Sequence, residues 1–166
     1  MNFTKLYLNF AGMRILMVCL GNICRSPLAE GILQQKIRQA GLKWTVDSAG
    51  TNGYHVGEAP HRLSQKVAKV KGIDISHQVS RQFLKSDLNN FDLIYAMADD
   101  VIDDIRHISG HSFNPEKIKL LMEEVFPGEN MNIPDPWYGP EAGYLEVYDL
   151  IEKACEKIIA NKTVNT

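Results

Sequence analysis

A chain of 166 residues with 45% hydrophobic and 23% charged side chains is long enough to bury one sizeable core and too short to suggest several. Its formal net charge of -2 excludes the global basic field used in nonspecific nucleic-acid binding, so any anion recognition must be local. Three cysteines, Cys19, Cys24 and Cys155, are too few and odd in number for a secreted disulfide framework and point to a reducing, cytoplasmic setting.

Residues 1–12 read as an N-terminal extension, in which Asn9 and the following Arg14 interrupt the apolar run before a signal-peptide core or membrane span is reached. Met13 is a candidate alternative start. Residues 13–166 read as one domain, without internal repeat, low-complexity tract or linker. The run Ile15-Leu16-Met17-Val18 is short, continuous and apolar, as suits a central strand buried on both faces. Ser26-Pro27 then offers a capping hydroxyl and a first-turn proline, and Leu28, Ile32, Leu33 and Ile37 recur at helical spacing up to Gly41. Further along, 44–48 is predicted as a strand, 63–71 as a helix stopped by Gly72, and 91–97 as a second buried strand; a helical pattern resumes after Asp99. Residues 118–122 are a candidate fourth strand. The tail from Ala142 to Ile159 carries Leu145, Tyr148, Leu150, Ile151, Ala154, Cys155, Ile158 and Ile159 as a long amphipathic helix. Strands alternating with helices predict an α/β fold with a doubly wound parallel sheet, helices on both faces, and a ligand site beyond the carboxyl end of the first strand.

The loop at that position reads VCLGNICRSP, with five residues between Cys19 and Arg25. A tight turn between strand and helix can aim successive N–H groups of Leu20, Gly21, Asn22, Ile23 and Cys24 inward, and the helix start adds positive potential, which makes an anion nest. Gly21 permits positive φ and Asn22 tolerates it. Arg25 offers a bidentate fork to two phosphate oxygens. The same field favours the thiolate of Cys19, and a thiolate beneath a bound phosphoryl group points to in-line attack on phosphorus through a phosphocysteine. As a metal pair, Cys19 and Cys24 lack a second Cys/His pair at zinc spacing. Cys24 is instead a redox candidate, able to trap an oxidised Cys19 as a disulfide, with plain packing as the alternative.

With CLGNICRSP, SAG at Ser48, GI followed by His77, and DPWYG near the end, the chain resembles the low-molecular-weight protein tyrosine phosphatases from Met13 to nearly its end. The resemblance implies a four-stranded parallel sheet, no metal or other cofactor, inhibition by inorganic phosphate and similar oxyanions, and hydrolysis of aryl phosphates, with phosphotyrosine proteins as partners. It assigns Asp135 as general acid and base, a role that proton donation to a phenolate leaving group requires. Proline after it keeps Asp135 in extended backbone, able to reach over the loop. Tyr54, Trp137 and Tyr138 would wall a slot deep enough to favour phosphotyrosine over phosphoserine. Asn22, Ser26, Ser48 and His77 match the family's supporting hydrogen-bond network.

Three positions depart from the family pattern. Ala98 stands where a carboxylate is common, with Asp99 one step later; His61 follows a proline where an acidic residue is usual; and Tyr54 replaces a frequent tryptophan. Arsenate reductases of this fold need two further cysteines downstream, and none lies between Gly72 and Met97. Protein-arginine phosphatases carry a small threonine where this chain has Ile23. A catalytically silent phosphopeptide-binding module would keep Arg25 but need neither Cys19 nor Asp135.

Overall fold

The structure is a computed structural model and describes residues 12–163. The predicted extension 1–12 therefore lies outside the described residues, apart from Gly12. Four parallel strands, β1 (Arg14–Cys19), β2 (Thr45–Gly50), β3 (Leu93–Ala96) and β4 (Ile118–Leu120), form one sheet in the order β2-β1-β3-β4. The helices are α1 (Arg25–Gln39), α2 (Arg62–Val70), a single turn α3 (Asp87–Asn90), α4 (Asp99–Ser109) and α5 (Glu141–Thr163).

The apolar run of β1 is sandwiched as its continuity predicts. Ile15 and Met17 face a core shared with Leu28, Ile32 and Leu33 of α1 and Val147, Tyr148 and Ile151 of α5. Leu16 and Val18 face the opposite core with Val101 and Ile105 of α4. Strand period two thus splits one hydrophobic word between two layers. The chain reverses direction across the sheet at β1, so the loop that follows β1 opens at a topological switch point, where doubly wound sheets bind ligands.

Boundaries differ where tertiary contacts act. β2 continues past the predicted Ser48 to Gly50, because Gly50 N–H donates to Arg81 O and Gly50 O accepts from Phe83 N–H. β3 is shorter than 91–97, and β4 ends at Leu120 where a 3-10 turn, Leu121–Glu124, begins. In α5 the buried stripe is Tyr144, Val147, Tyr148, Ile151, Ala154, Cys155 and Ile158, whereas the predicted Leu145 is 44% exposed. No helix among the described residues is long and apolar enough to cross a membrane.

Candidate active site

The loop from Cys19 to Arg25 leaves the carboxyl end of β1 and enters α1 without a side-chain cap. Ser26 was expected as that cap; it lies instead inside the first turn, with its hydroxyl 3.0 Å from Cys19 Sγ. The residue of positive φ is Asn22, at 53°, rather than Gly21. Position 21 is close to the His55 ring, which a Cβ there would approach to 3.0 Å.

Asn22 organises the interior of the loop. Its Oδ1 accepts from Arg81 N–H at 3.0 Å, which fixes the amide orientation and leaves both Nδ2 hydrogens to donate, to Ser26 Oγ at 2.8 Å and Ser48 Oγ at 2.9 Å. Ser48 then gives its own proton to Glu30 Oε1 at 3.0 Å. Ser26 Oγ accepts from Asn22, stands 3.0 Å from Cys19 Sγ and donates to Ala49 O at 3.5 Å. One hydrogen-bonded chain, through Asn22 and Ser26, thus reaches the sulfur of Cys19. Asp47, beside Ser48, is tied to Arg81, which also holds Asp87. Burial, opposed by the Ser48 bond and reinforced by the Asp47 charge, pushes the Glu30 carboxyl up to about 7.

His77 does not join this network. It is exposed in the turn after Ile75, and its side chain makes no hydrogen bond among the described residues; neighbouring Gln78 reaches Pro27 O, and the network's far side comes from Arg81.

Arg25 is 4% exposed, and its guanidinium donates to Ile133 O at 3.0 Å. Ile133 N–H in turn donates to Met97 O at the end of β3. Next to it, Asn132 exchanges two hydrogen bonds with Asp99, through Asp99 N–H and Oδ1. These ties deliver Asp135 to within 3.6 Å of Arg25. Asp135 Oδ1 accepts from Trp137 N–H at 3.1 Å, a turn that leaves the carboxylate half exposed at the mouth.

The cleft so formed has a volume of about 290 Å³, with Cys19, Leu20, Gly21, Ile23, Cys24 and Arg25 at its base and Asp135 at its rim. Tyr54, His55, Trp137 and Tyr138 stand around it, with Tyr54 85% and Tyr138 98% exposed. Tyr54 is carried on a segment pinned beside the loop by Thr51 N–H to Cys19 O and Asn52 N–H to Leu20 O. His55 escaped sequence reasoning: its Nδ1 is 2.8 Å from Glu58 and its ring packs against Trp137 at 5.1 Å. Cys24 is a free thiol, like Cys19, and contacts Tyr144 Oη at 3.7 Å; burial pushes its thiol up to about 12.

Residues 14–166 match the family model described as low molecular weight phosphotyrosine protein phosphatase. The low molecular weight protein-tyrosine-phosphatase YfkJ of Bacillus subtilis is 38% identical over 149 residues, covering 89% of this chain and 94% of the relative. The human low molecular weight phosphotyrosine protein phosphatase is 34% identical over 147 residues, covering 87% and 92%. Among solved structures, the YfkJ crystal structure superimposes with a TM-score of 0.83 over 90% of this chain and 94% of that one. Vibrio vulnificus Wzb, solved in complex with benzylphosphonate, matches with a TM-score of 0.81 at 27% identity, over 90% and 99%. With the family model matched over nearly the whole chain and relatives at 34–38% identity over most of both chains, the chain belongs to the low molecular weight phosphotyrosine protein phosphatase family.

Proposed function

We propose that the chain hydrolyses phosphotyrosine in proteins, and small aryl phosphates, by double displacement at Cys19. The observation that carries this reading is the meeting of three groups in one cleft: the Cys19 sulfur at its base, the buried Arg25 guanidinium beside it, and Asp135 over the opening. Phosphate oxygens would occupy the loop N–H groups and the Arg25 fork, in the place inorganic phosphate or another oxyanion would take as an inhibitor. The sulfur attacks phosphorus, an S–P bond forms as the P–O(aryl) bond breaks, and Asp135 gives its proton to the departing phenolate. Asp135 then takes a proton from water as that water attacks phosphorus, the P–S bond breaks, and phosphate leaves. The residues hold every proton in this cycle, and no cofactor is required by it.

Tyr54, Trp137 and Tyr138 suit a flat aryl ring whose phosphate must reach the sulfur, and the benzylphosphonate complex of Wzb is a ligand of that shape on a related protein. Cys24 is the candidate to condense with a sulfenic form of Cys19 generated by a peroxide, releasing water. Its raised thiol makes it a poor nucleophile at neutral pH, so the trap would be slow.

Turnover of an aryl phosphate by wild type and none by Cys19→Ser is the expected result; equal rates would end the nucleophile assignment. Asp135→Ala should slow phosphotyrosine hydrolysis by about 10²- to 10⁴-fold, while an ester with a strongly acidic phenol loses far less, because that leaving group departs without a proton. Equal losses on both esters would remove Asp135 as the acid.

A further inference from the structure

His61 sits where three parts of the site meet, although its side chain does not line the cleft. Its backbone N–H donates to Ile23 O of the phosphate loop at 2.8 Å. Its ring stacks on Tyr144 of α5, with centroids 5.1 Å apart and planes at 18°, and meets the Trp137 wall edge-on at 5.4 Å and 65°. Its Nδ1 accepts from Leu63 N–H at 3.1 Å, capping α2. A nitrogen that accepts carries no proton, so this geometry belongs to the neutral imidazole with hydrogen on Nε2. An acidic residue in this place would cap the helix at every physiological pH; imidazole does so only until Nδ1 is protonated.

We propose that His61 is a positioning residue that ties the Trp137 wall to the phosphate loop and to α5, and that it does so only while its ring is neutral. Proton uptake turns Nδ1 into a donor facing another donor, Leu63 N–H. The ring must rotate out of the cap, and the stack that braces Trp137 goes with it. The groups around the ring resist that proton. Burial and the adjacent Arg62 charge on α2 both hold His61 below the ordinary imidazole range. From α5 it meets the Tyr144 phenol, which burial and Cys24 keep protonated, and from the segment of Asp135 it meets the indole of Trp137. The phosphate loop contributes Ile23 O, and no carboxylate hydrogen-bonds the ring among the described residues. Beyond Trp137 lies the His55–Glu58 pair.

The inference rests on the phosphatase reading for its kinetic consequence, but not for its structural one, and the test uses both. Hydrolysis of one aryl phosphate is followed from pH 5 to 8 in wild type, His61→Asn and His61→Phe; Asn keeps a cap without a titrating ring, and Phe keeps a ring without a titrating nitrogen. Titration of substrate and loop cancels in the ratio of wild type to variant. At pH 8 wild-type kcat/KM should exceed that of His61→Asn by about 2- to 10-fold, the worth of an aromatic contact, mainly through KM. That ratio should fall toward one at pH 5, and the ratio to His61→Phe should fall in parallel. Ratios constant across the range would overturn the proposal. In parallel, Trp137 emission is titrated in a Trp44→Phe, His55→Asn background, where it is the remaining tryptophan and His61 the neighbouring imidazole. A pH transition that disappears with His61→Asn supports the tie, and the same transition without His61 overturns it. If no protein in the series turns over the ester, the phosphatase reading fails while the emission titration still decides the role of His61.

Discussion

At the scale of the residue, Asn22 carries two burdens that can be separated. It holds a left-handed backbone, at φ 53°, while itself only 3% exposed, and it makes three side-chain hydrogen bonds inside the loop. Asn22→Gly keeps the conformation and deletes the bonds, leaving Arg81 N–H without its acceptor and Ser26 and Ser48 without their donor. Each buried group so orphaned costs about 1–3 kcal/mol. Asn22→Ala loses the bonds and adds the steric penalty of a Cβ in the left-handed region, about 1–2 kcal/mol. Denaturant melts should therefore rank wild type above Gly and Gly above Ala. Turnover should collapse in both, because Ser26 Oγ, 3.0 Å from Cys19 Sγ, loses the Asn22 bond that holds it there. An Asn22→Gly variant with wild-type turnover would show that this hydrogen-bonded chain plays no part at the sulfur.

Elements explain what sequence could and could not tell. The strand, loop and helix from Ile15 to Ile37 were legible because their signals are local: an apolar run, an anion-nest spacing and a helical period. The interior wiring was not, because its partners arrive from distant elements. Glu30 comes from the second turn of α1, Ser48 from β2 and Arg81 from the segment after Ile75; nothing in their sequence neighbourhoods joins them. Ser26 joins the hydrogen-bond network as the resemblance implied, and only its reading as the helix cap fails, for the same reason. Its position invites a cap, but a sulfur and an amide close by outbid the backbone. His77 stands one place from Gln78, and a turn faces it to solvent. Gly50 shows the same principle as close approach: a Cβ there would meet Asn22 N, Gly21 C and Leu20 O, each at 2.8 Å. These are backbone atoms of the loop, so they cannot yield by a rotamer change. Gly50→Ala should push the loop away from β2, with kcat/KM for an aryl phosphate lost by at least 10²-fold, since a displacement of about 1 Å at a reacting group has that effect. An Ala variant of normal activity would mean that the loop tolerates displacement, and the anion nest would have to be looser than its hydrogen bonds imply.

Across the whole molecule, titrating acids set opposite demands on pH. Asp92, held low chiefly by its hydrogen bonds to Arg14, contributes stability present above its ordinary value near 3.8 and lost as pH falls through the lower folded value. Cys24 and Cys155 work at the alkaline end, where burial keeps both thiols protonated after the unfolded chain has released those protons near 9, so stability falls as pH rises beyond that point. Glu30 acts between them. Burial, with the Asp47 charge adding to it, moves its carboxyl from 4.5 to about 7, so the folded protein retains a proton that the unfolded chain has lost over that window. Stability contributed by the neutral form is complete below about 4.5 and is withdrawn as pH climbs through 7. Glu30→Gln keeps an acceptor for Ser48 Oγ and removes the titration. Its melting temperature should match wild type near pH 4 and exceed it at pH 8 by several degrees, each kcal/mol being worth roughly 2–4 °C at this size. A difference that stays constant from pH 4 to 8 would show that the carboxyl ionises as it would in water, and that solvent rather than the Ser48 hydroxyl receives its charge.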